Sequence, residues 1–100
     1  MVSAEIDRNN QKKNWLEVVI NNELALTTNQ VASALEVTPR TVLGWRQKAE
    51  QHRVVTGIYE KGWIFPPDHL IDLLLFVAKT INRHSYRWVK ECQQQRTNQN

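Results

Sequence analysis

Between Leu26 and Trp45 the apolar positions fall into two short bursts of helical spacing. Val31, Ala32 and Leu35 share one helix face by the three-and-four rule, and Val42 and Trp45 repeat that pattern on a second helix. Val37 sits between them as the plug of the corner. Thr28 is placed to cap the first helix. Thr38 followed by Pro39 is a stronger start signal for the second. The hydroxyl caps, and proline suits the first helical turn because its missing N–H would have had no partner there. This second helix is predicted from Pro39 to about Gln51, and small Ala32 lets the two helices cross closely. Upstream, Trp15, Leu16, Val18, Val19 and Ile20 predict a helix from Lys12 to Leu24, with Lys12, Lys13, Glu17 and Glu23 left in water. Asn21 and Asn22 suit its end, where a left-handed residue is common. The role expected of this helix is to cover one side of the helical pair. The stretch from Met1 to Gln11 is polar and reads as a disordered tail.

After the helical pair the pattern changes. Val54, Val55, Thr56, Ile58 and Tyr59 favour a strand, Glu60, Lys61 and Gly62 a tight turn, and Trp63, Ile64 and Phe65 a returning strand. Pro66 and Pro67 end it, since neither can donate to a ladder. From Asp68, the residues Leu70, Ile71, Leu73, Leu74, Leu75, Phe76, Val77, Ala78 and Ile81 make a helix apolar on nearly every side. Such a helix is buried on two sides. One side closes the core, and the other needs a second cover, either the Trp15 helix or a partner subunit. Residues Asn82 to Ser85 mark a break. Ser85 is placed to cap a last helix from Tyr86 to about Gln95, with Tyr86, Val89 and Cys92 along one face and Trp88 offset.

The stretch from Leu26 to Trp45 resembles the helix-turn-helix of bacterial DNA-binding proteins. That resemblance gives the outward residues of the second helix their expected roles. Arg40 is placed to pair with the acceptor edge of guanine and Gln47 with adenine, while Leu43 meets a thymine methyl and Gly44 lets the helix approach closely. The hydroxyls of Thr38 and Thr41 hold phosphate more readily than they read sequence, and Thr28 is counted among the DNA-binding residues. Arg46, Lys48 and Arg53 add positive charge, and Lys61 at the hairpin tip is placed to meet a phosphate or enter a minor groove.

The order of elements from Leu26 to Ile81 is similar to the winged-helix DNA-binding domain of MerR-type regulators and phage excisionases. The matching residues are Leu26-Thr27, Val31-Ala32, Leu35, Val37-Thr38, Arg40-Thr41-Val42, Trp45, Gly62-Trp63-Ile64-Phe65 and Asp68-His69-Leu70. The resemblance implies a mainly α fold: a winged helix-turn-helix with a short β-hairpin wing and C-terminal dimerisation helices. It also implies duplex DNA as the partner and homodimerisation through the helices after the wing, for which Leu70, Leu74, Val77, Ile81, Tyr86, Trp88 and Val89 are the candidates. Three positions depart from the family pattern. Glu36 stands where the corner is usually glycine, and a non-glycine residue in the left-handed conformation costs about 1 kcal/mol or slightly more, which points to an opened or shifted turn. Leu43 stands where a basic residue is common, and Ile64 where the returning strand often has arginine. Fewer phosphate anchors imply weaker binding per monomer and a greater need for a dimer.

Composition narrows the reading further. One hundred residues make one domain, expected to divide into a disordered tail (1–11), the first helix with the helix-turn-helix and wing (12–66), the C-terminal helices (67–95) and a second loose tail (96–100). The net charge of +3 and a pI near 9.3 suit a polyanionic partner without deciding the matter. The single cysteine, Cys92, excludes an intramolecular disulfide framework and fits a reducing cytoplasm. No signal peptide is apparent, and the longest apolar run is too short to span a bilayer. His52, His69 and His84 lack ligand spacing, and Asp68 and Asp72 favour the helix dipole. No effector module, cofactor site or catalytic constellation is expected. The function expected is a dimeric, cytoplasmic (auto)repressor that blocks a promoter by occupying it. The alternatives are an excisionase-like architectural factor and a protein-interaction adaptor that docks through the Trp63–Phe65 hairpin or the apolar helix. Small members of the family accompany mobile elements, including CRISPR-associated transposons, and the chain fits such a role.

Overall fold

Local sequence sets most of the elements in the computed structural model, which describes residues 4–83 and 85–98, with side chains described for 11–83 and 85–94. The chain is mainly α-helical with one small antiparallel sheet. Helix α1 spans Ala4–Asn21, α2 spans Thr28–Leu35 and α3 spans Pro39–Gln51. Strands β1 (Leu26–Thr27), β2 (Ile58–Tyr59) and β3 (Trp63–Phe65) form the sheet in the order β1-β3-β2. Helix α4 (Pro67–Phe76) runs on into a π-helical turn at Val77–Ile81, and α5 spans Val89–Asn98.

The helix starts follow their capping chemistry. Thr38 caps α3, its hydroxyl accepting from the Thr41 N–H at 3.2 Å with Pro39 at the first helical position. The cap of α2 is Thr27, where Thr28 was expected. Thr27 and Gln30 form a reciprocal capping box, the Thr27 N–H donating to Gln30 Oε1 at 2.9 Å and the Gln30 N–H to Thr27 Oγ1 at 3.2 Å. Glutamine three residues on from Thr27 is what selects it. Pro67, in place of Asp68, opens α4. The start of α1 also differs from expectation: the segment read as a tail is helical from Ala4, as good helix formers such as Gln11, Lys12 and Lys13 permit. The expected C-terminal tail is likewise helical as far as Asn98, and residues 1–3 and 99–100 lie outside the described ones.

Three helix ends share one geometry without glycine. Glu23, Glu36 and Arg53 sit at φ of 49°, 60° and 64° after α1, α2 and α3. In each, the next N–H reaches back five residues: Leu24 to Val19 at 3.0 Å, Val37 to Ala32 at 3.0 Å and Val54 to Ala49 at 2.9 Å. This is the Schellman arrangement, which satisfies carbonyls that the helix leaves open. The corner at Glu36 is therefore closed, not opened or shifted: the hydrogen bonds offset the strain of a left-handed glutamate. After α1 the left-handed residue is Glu23, not Asn21 or Asn22.

The expected long strand from Val54 shrinks to Ile58–Tyr59. Gly57, at φ 86°, turns the chain inside that stretch, and its N–H donates to His69 Nδ1 at 2.9 Å instead of joining a ladder. The β2–β3 pairing aligns Ile58 with Ile64 and Tyr59 with Trp63. Strand β1 pairs Leu26 with Phe65 and Thr27 with Ile64.

The core gathers Leu16 and Val19 of α1, Val31 and Leu35 of α2, Val42 of α3, Phe65 of β3 and Leu70, Leu73 and Leu74 of α4. The second cover of α4 comes from the same chain. Helix α5 packs against both α1 and α4, and the Lys13 ammonium meets the Glu91 carboxylate at 2.6 Å across α1 and α5. The last helix starts at Val89, three residues later than expected. Ser85 does not cap it; the Ser85 N–H donates to Asn82 Oδ1 at 3.1 Å, and Tyr86 to Trp88 form tight turns.

This packing places six of the seven residues expected at a dimer interface inside the chain's own core. Leu70, Leu74, Val77 and Val89 are 0% exposed, Tyr86 is 4% and Trp88 7% exposed, all within the single chain. The Trp88 indole N–H donates to the Ser85 carbonyl at 2.8 Å, and Tyr86 packs edge-on against Trp45 with ring centroids 5.7 Å apart. Only Ile81 of the seven, 38% exposed, reaches solvent. An all-round apolar helix does need two covers, but hydrophobicity alone does not say whose.

Candidate nucleic-acid interface

Helix α3 divides cleanly into two sides. Val42 and Ala49 are buried and Trp45 packs against the core. On the other side Thr38, Arg40, Gly44, Gln47 and Lys48 are exposed, with Thr41 and Leu43 half-buried. Arg40, Leu43, Gly44, Gln47 and Lys48 are thus brought together on one accessible surface, as the spacing of Val42 and Trp45 requires. A Cβ built at Gly44 would meet nothing within 4 Å, so packing within the protein does not demand a glycine there. The Thr38 and Thr41 hydroxyls lie 2.8 Å apart. Thr38 also caps the helix, so its hydroxyl is committed before any ligand arrives.

Arg46 does not belong to that open surface. Its guanidinium carbon lies 3.8 Å from the centroid of the Trp63 ring, and its Nη1 reaches Glu50 Oε2 at 3.4 Å. The side chain is only 12% exposed. Cation–π attraction at a desolvated site of this kind is worth about 2 kcal/mol. Arg46 therefore ties the hairpin to α3. The partnership is invisible in sequence because Trp63 lies on a different element. Trp63 also packs edge-on against Tyr59, centroids 5.2 Å apart, which stiffens the hairpin from its other strand.

Lys61 is exposed in the turn between β2 and β3. Together with Thr27, Thr28, Asn29 and Trp63 it lines a groove of about 530 Å³. The structure thus sets Lys61 beside Thr28 at the start of α2. Arg53 is exposed just past the other end of α3 from Arg40, about 20 Å away by helical rise. It is the left-handed residue that closes that helix.

Among the described residues no group of three His, Cys, Asp or Glu side chains is placed to hold a metal ion. His69 is half-buried and accepts the Gly57 N–H, a positioning contact for the loop before β2. His84 lies outside the described residues. Asp72 is raised from the usual carboxylate range by burial and by repulsion from Asp68, with His69 opposing. Cys92 is 1% exposed, and burial pushes its thiol up to about 11. No helix is long and apolar enough to cross a membrane among the described residues. In comparisons with known proteins, neither a family model, nor a curated protein, nor a solved structure matches the chain.

Proposed function

We propose that the chain is a sequence-specific, double-stranded DNA-binding transcriptional regulator built as a winged helix-turn-helix, with α3 as the reading helix and the β2–β3 hairpin as the wing. It acts by occupying a promoter, its own among the candidates, in the cytoplasm and without enzymatic activity or a cofactor. One observation carries the reading: α3 buries Val42 and Ala49 while presenting Arg40, Gln47 and Lys48 around an unobstructed Gly44. Arginine and glutamine are the side chains that pair bidentately with guanine and adenine in a major groove. The net charge of +3 supports a polyanionic partner.

The test is fluorescence anisotropy on the DNA upstream of the gene, across a salt series, with a scrambled duplex alongside. Selective binding that weakens steeply with salt is expected. Replacing Arg40 by Ala should remove about 1–3 kcal/mol of discrimination. Absence of duplex binding at low salt would overturn the proposal in favour of a protein adaptor.

The excisionase-like reading, an architectural factor loading on direct repeats, draws support from a different observation. Six of the seven side chains assigned to pairing are already buried in the chain. A repressor on an inverted repeat would have to pair through other surfaces. Sedimentation on free protein and on direct versus inverted repeats separates the two.

A further inference from the structure

Lys79, Arg83, Arg87 and Lys90 line one cleft of about 480 Å³, with Ala78 at its wall. The four residues recur at three- and four-residue spacing, but they come from the π-helical turn, the segment after it and the first turn of α5. The backbone brings them together where the chain folds back on itself. Among the described residues no carboxylate lines the cleft. Glu91, the nearest in sequence, is engaged by Lys13 on α1 at 2.6 Å. The Arg83 Nε–H donates to the Lys79 carbonyl at 3.3 Å, which leaves both terminal amino groups of that guanidinium as donors.

We infer that this cleft is a second phosphate-binding site, and that it takes the sugar–phosphate backbone of duplex DNA. Two guanidinium forks match pairs of phosphate oxygens, and two ammonium groups add point charge. The cleft follows directly on α4, which packs against α3. Phe76, one turn before Lys79, packs against His52 at the C-terminal end of α3, ring centroids 5.5 Å apart. Arg53 follows His52 directly. Four cations spread along one cleft, with Arg53 exposed just past the end of α3, suit an extended polyanion better than a single small anion. This inference rests on the chain binding DNA, but not on its reading sequence.

The test compares the wild type with the double variants Arg83→Ala/Arg87→Ala and Arg83→Lys/Arg87→Lys, all checked for unchanged circular dichroism. Binding to a duplex of about 30 base pairs is read across a salt series. Loss of two phosphate contacts makes the slope of log affinity against log salt shallower by about 1.8, while the ratio between specific and scrambled duplex stays the same. The lysine variant, which keeps the charge, retains most of the slope. An unchanged slope in the alanine variant overturns the inference and leaves the proposed function standing. Unselective binding that still loses the slope supports the cleft and removes the sequence-specific function. No duplex binding by the wild type removes both. Poly-glutamate binding that the alanine variant loses, with DNA binding intact, overturns the inference in favour of an acidic protein partner.

Discussion

Replacing Gly44 by alanine should make the protein more stable and a weaker DNA binder at once. The residue sits inside α3, where glycine costs about 0.5–1 kcal/mol relative to alanine through lost chain entropy. The new methyl would meet nothing within 4 Å, so no clash offsets the gain. For a chain of this size about 1 kcal/mol corresponds to a rise in Tm of roughly 4–8 °C. The same methyl would stand on the proposed reading surface, between Arg40 and Gln47, where a close backbone approach leaves no room for it. Thermal unfolding followed by circular dichroism measures the first effect, and anisotropy on a bound duplex the second. A lowered Tm would refute the account of α3 as an open helical face. Raised stability with unaltered affinity would refute the close approach of Gly44 to DNA while leaving the helix account intact.

Glu36→Gly should stabilise by about 0.5–1 kcal/mol. Relief of left-handed strain, about 1–2 kcal/mol, is partly offset by the entropy of glycine, and chemical denaturation reads the balance. Gly57→Ala should destabilise by about 2–4 kcal/mol, combining the strain at φ 86° with contacts of 3.1 Å to Phe65 and 3.2 Å to Trp63. A urea midpoint within error of the wild type would contradict it. Cys92 should resist thiol reagents at pH 8 until the chain unfolds, since its buried thiol is raised to about 11. By linkage the folded state holds that proton more tightly, so this contribution to stability is complete below pH 9.0 and is lost as pH rises toward about 11. Cys92→Ala should flatten that alkaline limb, and an unchanged limb would count against the assignment.

What could be read from sequence and what could not divides along the range of the interactions. Thr38, Pro39, Val42 and Trp45 declare α3 and its inward side because capping and helical periodicity act within a few residues. The outward set around Arg40 and Gln47 follows from the same period. Thr27 was equally legible through Gln30, although Thr28 beside it drew the assignment. Gly57 inside a β-prone run signalled that the strand would be short. The remaining features are contacts between distant segments. Two residues, Leu26 and Thr27, become a strand only because Phe65 and Ile64 come to lie beside them. Arg46 carries the same charge in sequence as Lys48, yet Trp63 takes it out of the open surface. The apolar helix after Pro66 announced that it needed two covers, and only tertiary packing chose α5 as one of them and thereby buried Tyr86, Trp88 and Val89. The four cations from Lys79 to Lys90 recur at helical spacing, yet no single helix carries them, and the fold of the backbone makes them one cleft. Local propensity and spacing thus determined the helices and the orientation of α3. Burial, partner choice and the grouping of charge depend on which distant surfaces meet, and that was decided only in three dimensions.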